Sequence, residues 1–247
     1  MIEQMFDSAT LSTGHIRYDA DMGQMTRLQT AAGDTDAYVA SARPSPGAPV
    51  LLLHAWWGLN DAIRDLADRL AADGFTGMAP DLFDGTVLTT IEDADAYTTA
   101  IEQGDGQPGG LNPDRIVGRV EAALDHLLAD PDVRGDRAAI IALSFGGWYG
   151  SHVAATRSEV AAFVSVYSDV FDAPGQAAYL GHFAQNDDFI DPARAAAVAE
   201  TLSGANVAHL YPGTKHWFFE PDRPEFDAEA AELAYARTVK FLRATLG

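Results

Sequence analysis

The feature that most constrains the fold is an apolar run that leads into a serine and then into small residues, at positions 138–147. The run Ala-Ala-Ile-Ile-Ala-Leu has the composition of a buried strand, and Ser144 follows it directly. Ala142 and Gly146 flank the serine at two residues' distance, and small side chains there permit a very tight turn. This pattern resembles the nucleophile elbow G-x-S-x-G, with alanine at the first glycine. The alternative is a serine that only caps the helix beginning near Phe145.

The remaining chain alternates strand and helix patterns, which predicts an α/β fold with a mainly parallel central sheet and helices on both faces. The predicted strands are 25–30, 36–42, 50–54, 75–79, 138–143, 160–167, 178–184 and 207–211. The predicted helices are 61–73 (capped by Asn60 or Asp61), 92–103, 116–129, 145–157, one starting at Pro192, and 226–246. We expect a surface loop at 104–113, a single domain over 25–247, and residues 1–24 as an extension or edge element.

Composition argues against several classes of partner and site. The 247 residues carry a formal charge of -20 and include two lysines, so their field repels nucleic acid and anionic lipid. The absence of cysteine excludes disulfides, thiolate metal sites and a cysteine nucleophile. No apolar segment is long enough to span a membrane, and the N-terminus does not resemble a secretory signal. We therefore expect a cytoplasmic monomer or homodimer that binds neither nucleic acid nor membrane.

A serine nucleophile needs a neighbouring base and an acid that orients the base. In α/β-hydrolases the acid and then the histidine follow the serine, each on a loop after a later strand. His216 lies in such a loop, and Asp187 and Asp188 compete for the acid role, with Asp191 as a weaker third. The other histidines that we weighed fit surface or core positions: His15, His126, His152, His182 and His209. The sequence has no H-E-x-x-H motif or clustered histidines, so we expect no metal and no cofactor.

Five blocks of the sequence resemble the dienelactone hydrolase family of α/β-hydrolases. They are residues 54–60 (HAWWGLN), 79–83 (APDLF), the elbow, 186–190 (NDDFI) and 213–218 (GTKHWF), within a similarity that spans 36–246.

This resemblance implies that Ser144 is the nucleophile and His216 the base of a Ser-His-Asp triad. It favours Asp187 over Asp188 as the acid, because Asp187 stands at the first position of the family's D-x-F sequence. It also implies an oxyanion hole formed by the backbone N–H groups of Trp56 and Phe145.

The chain departs from the family at three points. Ser144 stands where the best-known members have cysteine, and Ala55 stands where the HEWWG block has a glutamate that partners the thiol. The arginines that hold a substrate carboxylate in the family also lack counterparts. Residues 70–114 contain no lysine or arginine. Arg223 is the first cation after His216, and a role of Arg223 in pairing with a substrate carboxylate is the alternative that keeps an anionic substrate open.

A buried substrate carboxylate without a partner would be strongly destabilised. We therefore expect a neutral small ester or lactone as the substrate of a cofactor-independent enzyme. The alternatives are the same triad acting on a thioester or peptide bond, and a ligand-binding protein or sensor that keeps the fold without turnover.

Aromatic residues flank the predicted catalytic positions, and an apolar wall suits small esters. We predict that Trp57, Phe83, Trp217 and Phe218 contact the substrate. Trp56 is a further candidate for the wall, whereas Trp148 is as readily interpreted as a core residue.

Overall fold

Eight strands form one sheet in the computed structural model, which describes residues 23–31, 33–104, 110–168, 175–191, 193 and 206–247. The strands are β1 Gly23–Leu28, β2 Thr35–Ala40, β3 Ala48–Leu53, β4 Phe75–Pro80, β5 Ala138–Leu143, β6 Val160–Val166, β7 Ala178–Ala184 and β8 Val207–Tyr211. Their order across the sheet is β1-β2-β4-β3-β5-β6-β7-β8. β2 pairs antiparallel with β1 and with β4, and all pairs from β4 to β8 are parallel.

The helices of the described residues are α1 Asp61–Ala72, α2 Ile91–Gln103, α3 Pro113–Ala129, α4 Gly146–Thr156 and α5 Ala228–Leu246. A side-chain oxygen accepts a hydrogen bond from a first-turn N–H at the start of four of them. The capping residues are Asn60, Thr90, Asn112 and Asp227. Each cap satisfies an N–H group that the helix itself leaves without an acceptor.

The central strand β3 shows how the sheet divides the core into two layers. Val50 and Leu52 pack with α1 and α5 on one face, whereas Leu51 and Leu53 pack with α3 and α4 on the other. All four side chains are fully buried, as expected for a parallel strand covered on both faces. The predicted α/β fold with a mainly parallel sheet and helices on both faces is therefore confirmed.

The predicted bounds agree with the structure for three strands and differ by one or two residues at the others. The predictions for β5, β7 and β8 match the observed strands, whereas β1 begins two residues earlier than predicted. α3 begins at Pro113 rather than at 116, because Asn112 caps it and proline fits the first helical turn. Residues 1–22, most of the helix predicted from Pro192, and residues 105–109 lie outside the described residues. Within the described residues, no helix has the length and apolar character needed to cross a bilayer.

One buried histidine in β7 ties the sheet to α5. The two ring nitrogens of His182 are hydrogen-bonded to the Tyr211 hydroxyl at 2.8 Å and the Thr238 hydroxyl at 2.9 Å. Burial lowers the pKa of His182 to about 3, with smaller contributions from His209 and Arg237. The imidazole is therefore neutral at physiological pH, and its role is structural, because it links two elements of the core.

We predict that His182 makes the protein acid-sensitive. The unfolded chain takes up this proton below a pKa of about 6.5, whereas the folded chain resists it until far lower pH. The stability from this group is therefore complete above about pH 6.5 and is lost as the pH falls below that value. In urea unfolding at several pH values, His182→Gln should flatten the acid-side slope by up to about 1.4 kcal/mol per pH unit. The exposed control His126→Gln should keep the wild-type slope; equal slopes in all three proteins would contradict the prediction.

Candidate active site

Ser144 lies at the junction of β5 and α4 with a φ of 45°, in the left-handed region that a residue with a Cβ rarely occupies. Its N–H donates to the carbonyl of Val166 at 3.0 Å, which fixes the end of β5 against β6. A Cβ added at Gly146 would lie 2.8 Å from the Cβ of Leu53 and 2.9 Å from the carbonyl oxygen of His54. The glycine therefore allows α4 to start directly against β3, and this holds the strained turn in place.

Alanine at the first small position of the elbow motif fits because the facing helix carries Gly150. Ala142 is fully buried, and a Cβ added at Gly150 would lie 3.2 Å from the Ala142 Cβ and 2.9 Å from the ring of Phe163. The methyl group of Ala142 thus occupies space that α4 leaves open. The departure from G-x-S-x-G is accommodated without loss of the turn.

The structure brings Ser144, His216 and Asp187 into one hydrogen-bonded series. The Ser144 Oγ lies 2.8 Å from His216 Nε2, and His216 Nδ1 lies 2.8 Å from Asp187 Oδ2 and 3.0 Å from Oδ1. Since the carboxylate accepts from Nδ1–H, Nε2 is left to accept the serine proton. The side chains of His216 and Asp187 are 4% and 1% exposed, so water is largely excluded from this pair. A hydroxyl, an imidazole and a carboxylate in this order can support nucleophilic catalysis.

Backbone contacts hold the Asp187 carboxylate in position. Its Oδ1 accepts hydrogen bonds from the N–H groups of Phe189 and Ile190, both at 2.9 Å. Asp188 is exposed, and Asp191 accepts a hydrogen bond from the N–H of Ala193 at 2.9 Å. Of the three candidate acids, Asp187 is the one whose carboxylate reaches the imidazole.

The acid loop and the histidine loop are joined to each other. The N–H of Asn186 donates to the carbonyl of Thr214 at 2.9 Å, and the N–H of Gly213 donates to the Gln185 side chain at 2.9 Å. These bonds connect the segments after β7 and β8, which are neighbouring parallel strands. The carboxylate and the imidazole therefore sit on one bonded unit.

The two residues predicted to form the oxyanion hole flank Ser144 at the cavity. Within the described residues, the backbone N–H groups of Trp56 and Phe145 donate to no acceptor. The Trp56 loop is fixed by His54, whose Nδ1 donates to the Ala55 carbonyl at 2.7 Å and whose Nε2 accepts from the Leu82 N–H at 3.1 Å. Burial lowers the pKa of His54, which keeps Nε2 available as an acceptor.

A cavity of about 550 Å³ opens at Ser144. Its wall is mostly aromatic and includes Trp56, Phe145, Trp148, Tyr149, Phe189 and Trp217. Glu102, near the end of α2, is the one carboxylate in the lining formed by the described residues. A mostly apolar cavity beside a nucleophile suits a small organic substrate.

Only one of the four aromatic residues predicted to contact the substrate, Trp217, lines this cavity. Trp57, Phe83 and Phe218 are 1%, 0% and 0% exposed and lie behind it, in the core. Trp57 packs against Trp217 with ring centroids 5.0 Å apart, and Phe83 packs against Phe145 at 5.2 Å. They support the cavity wall instead of forming it.

Three cavity residues were not predicted from the sequence: Phe189, Tyr149 and Glu102. Phe189 is 45% exposed, and its ring centroid lies 5.0 Å from that of His216. Its position two residues after Asp187 is the signal that could have indicated it. Trp148, which the sequence left open between the wall and the core, is 37% exposed and lines the cavity. Tyr149 and Glu102 carry no local sequence signal, since their place in the site depends on how α4 and α2 pack.

A second buried pair lies behind the imidazole. The ring centroid of Tyr167 is 4.8 Å from that of His216, and its hydroxyl donates to Glu220 Oε1 at 2.6 Å. Glu220 is 2% exposed, and burial, together with the nearby Asp222, raises its pKa to about 8. Glu220 is therefore largely protonated at neutral pH, so its carboxyl group adds little negative charge behind the imidazole.

Comparison with known proteins identifies the group to which this architecture belongs. The sequence model described as "Dienelactone hydrolase family" matches residues 35–246. A protein of Azospirillum brasilense named "Putative carboxymethylenebutenolidase" is 32% identical over 244 residues, which covers 90% of this chain and 100% of the relative.

Solved structures show the same fold at lower identity. A dienelactone hydrolase-like promiscuous phosphotriesterase from metagenomic libraries has a TM-score of 0.75 at 20% identity, covering 92% of this chain and 100% of that one. A cold-adapted esterase from an Arctic intertidal metagenomic library has a TM-score of 0.69 at 20% identity, covering 91% and 94%.

The two neighbouring aspartates allow a matched test of the acid. Asp187→Asn should reduce the rate of Ser144 labelling by a fluorophosphonate about 10²- to 10⁴-fold, because an amide no longer selects the productive imidazole tautomer. Asp188→Asn removes the same charge from the same loop and should label at the wild-type rate. Equal labelling rates for the two variants, measured by intact mass against time, would contradict the assignment of Asp187.

Glu220 should make the protein less stable towards alkaline pH. The unfolded carboxyl group loses its proton near its ordinary pKa of about 4.3, whereas the folded one holds it to a pKa of about 8. The free energy of unfolding should therefore fall as the pH rises through this window. Glu220→Gln should remove this loss, by up to about 1.4 kcal/mol per pH unit in urea unfolding. Glu121→Gln, on α3, should leave the slope unchanged; a Glu220→Gln slope equal to the wild type would refute the prediction.

Proposed function

The chain belongs to the dienelactone hydrolase family, and we propose that within it the protein is a serine hydrolase that cleaves a small carboxylic ester or lactone. The observation that carries this proposal is the continuous hydrogen-bonded series from the Ser144 hydroxyl through His216 to Asp187. The series ends at an apolar cavity, so the hydroxyl is presented to a substrate and not buried.

In the acylation step, His216 Nε2 takes the Ser144 proton as Oγ attacks the carbonyl carbon. The negative charge that forms on the carbonyl oxygen is held by the N–H groups of Trp56 and Phe145, each contributing about 3 kcal/mol by precedent. The imidazolium then gives its proton to the leaving alkoxide oxygen as the carbon–oxygen bond breaks. In a lactone the released hydroxyl stays attached to the acyl group. Asp187 orients the ring and stabilises its positive charge.

Deacylation runs through the same groups. His216 takes a proton from a water molecule as the water oxygen attacks the acyl carbon. The N–H groups of Trp56 and Phe145 again hold the oxyanion, and collapse of the intermediate breaks the bond to Ser144 Oγ. The imidazolium returns a proton to Oγ, and a carboxylic acid leaves. The cycle needs no group other than those of the chain and water.

The residue at position 55 is consistent with a serine nucleophile. Ala55 is 1% exposed, so the family's glutamate position holds only a buried methyl group here. A thiol is activated by ionisation, which neighbouring charges tune, whereas a serine hydroxyl is activated by its base during the attack. Serine at 144 together with alanine at 55 supports a conventional Ser-His-Asp mechanism.

The positions of the nearby arginines argue against an anionic substrate. Arg223 lies over the ring of Trp57 at 3.7 Å, behind the cavity wall. Arg119 is fully buried and paired with Asp84. No lysine or arginine of the described residues lines the cavity, so a substrate carboxylate would have no partner there. The name of the Azospirillum relative supports a lactone as the bond that is cleaved, whereas the carboxyl group in that name would have no cationic partner among the described lining residues of this chain.

We predict that a fluorophosphonate forms a single covalent adduct, on Ser144. Intact mass should show one adduct on the wild type and on the exposed-serine control Ser158→Ala, and none on Ser144→Ala, because only a serine with a paired base is reactive enough. On neutral esters, Ser144→Ala should lose at least about 10³-fold in kcat. A folded wild type that gains no adduct at low or high salt would overturn the proposal in favour of a binding protein without turnover.

A further inference from the structure

The cavity at Ser144 and His216 also takes in a carboxylate, because the exposed Glu102 reaches its lining from the last turn of α2. Phe145, next to Ser144, and Tyr149 of α4 both line the cavity, with ring centroids 4.9 Å apart. We call the part of the cavity that Glu102, Trp148 and Tyr149 line its distal end.

The distal end combines that carboxylate with electron-rich rings. Trp148 packs edge-on against Tyr149 with centroids 4.7 Å apart, and both residues line the cavity. Burial raises the pKa of the Tyr149 hydroxyl and the charge of Glu102 raises it further, so the two groups interact. Aromatic faces and a carboxylate attract the same kind of ligand group, namely a cation with apolar substituents.

The net negative charge of the chain also favours a cationic ligand. The formal net charge of -20 raises the local concentration of cations and lowers that of anions around the cavity mouth. Among the described residues of the lining, Glu102 is the one carboxylate, and no lysine or arginine lies there to neutralise it. Both the near and the distant charges thus favour a positively charged substrate.

We propose that Glu102, Trp148 and Tyr149 form a subsite for a cationic group, and that the enzyme prefers esters carrying a quaternary or protonated amine over neutral esters of the same shape. The inference rests on the proposed ester hydrolase function, whose site it extends. It assigns to the distal end of the cavity the opposite charge preference from the carboxylate-binding members of the family.

The test compares two esters of the same shape, acetylcholine and 3,3-dimethylbutyl acetate, in which a charged nitrogen in the first is replaced by a neutral carbon in the second. The assay uses about 0.15 M salt, which limits charge effects to about 8 Å. In the wild type, kcat/KM should be about tenfold higher for the cationic ester. Glu102→Gln should bring the ratio close to one, mainly through a higher KM for acetylcholine.

The matched control is Glu92→Gln, on the same helix. Glu92 is exposed and stands ten residues before Glu102, about 15 Å away along the helix axis. This variant removes an equal charge and should keep the wild-type preference. An unchanged preference in Glu102→Gln, or no preference in the wild type, would overturn the subsite.

Failure of the subsite and failure of the hydrolase proposal give different results. Hydrolysis of the neutral ester without a cation preference rejects the subsite alone. If neither acetate is cleaved, choline and 3,3-dimethylbutanol are compared as protectants of Ser144 against the fluorophosphonate, and about tenfold tighter protection by choline supports the subsite.

If Ser144 is never labelled, the hydrolase proposal fails. Titration of tryptophan fluorescence with the two alcohols then decides the subsite independently, with equal affinities rejecting it.

Discussion

Helix α4 approaches strand β3 at Gly146 so closely that a single added carbon would collide with Leu53 and His54, and the geometry of the site follows from this contact. The contact forces the chain to turn at Ser144 with a positive φ, which directs the serine out of the sheet edge. It also sets Phe145 beside the loop after β3, where Trp56 lies. The strain of the turn is retained because the packed core on both sides leaves no alternative path.

The sequence blocks that resemble the family are largely explained by contacts that hold loops together. His54 joins the loop after β3 to the start of the loop after β4 by its bond to Leu82. Asn60 caps α1 through its side-chain oxygen and donates through its amide nitrogen to Asp222, 3.0 Å away in the segment after His216. His54 and Asn60 of the HAWWGLN block therefore hold loops in place. Their hydrogen bonds bring segments that are distant in the chain to one edge of the sheet.

The fold and the central site residues could be predicted because their signals are local. The continuous apolar run of β5 and the small residues after it indicated Ser144. The loop after β7 narrowed the acid to Asp187, Asp188 or Asp191, and the family resemblance favoured Asp187. The cavity wall could not be predicted in the same way. Trp217 and Phe218 are consecutive, and Trp217 has a φ of 66°, so no regular alternation indicates which of them faces the cavity. The place of Glu102 depends on the packing of α2, which the sequence does not encode within any short window.

The bonds from Asn186 to Thr214 and from Gly213 to Gln185 join the loops that carry Asp187 and His216, whereas Ser144 lies at the end of β5, between the sheet and α4. We therefore expect a displacement of these joined loops relative to the core to change the distance between Nε2 and Oγ more than the distance between the carboxylate and the imidazole. In the mechanism that we propose, the proton crosses the contact between Nε2 and Oγ. The loop bonds would thus preserve the orientation of the imidazole while that contact adjusts.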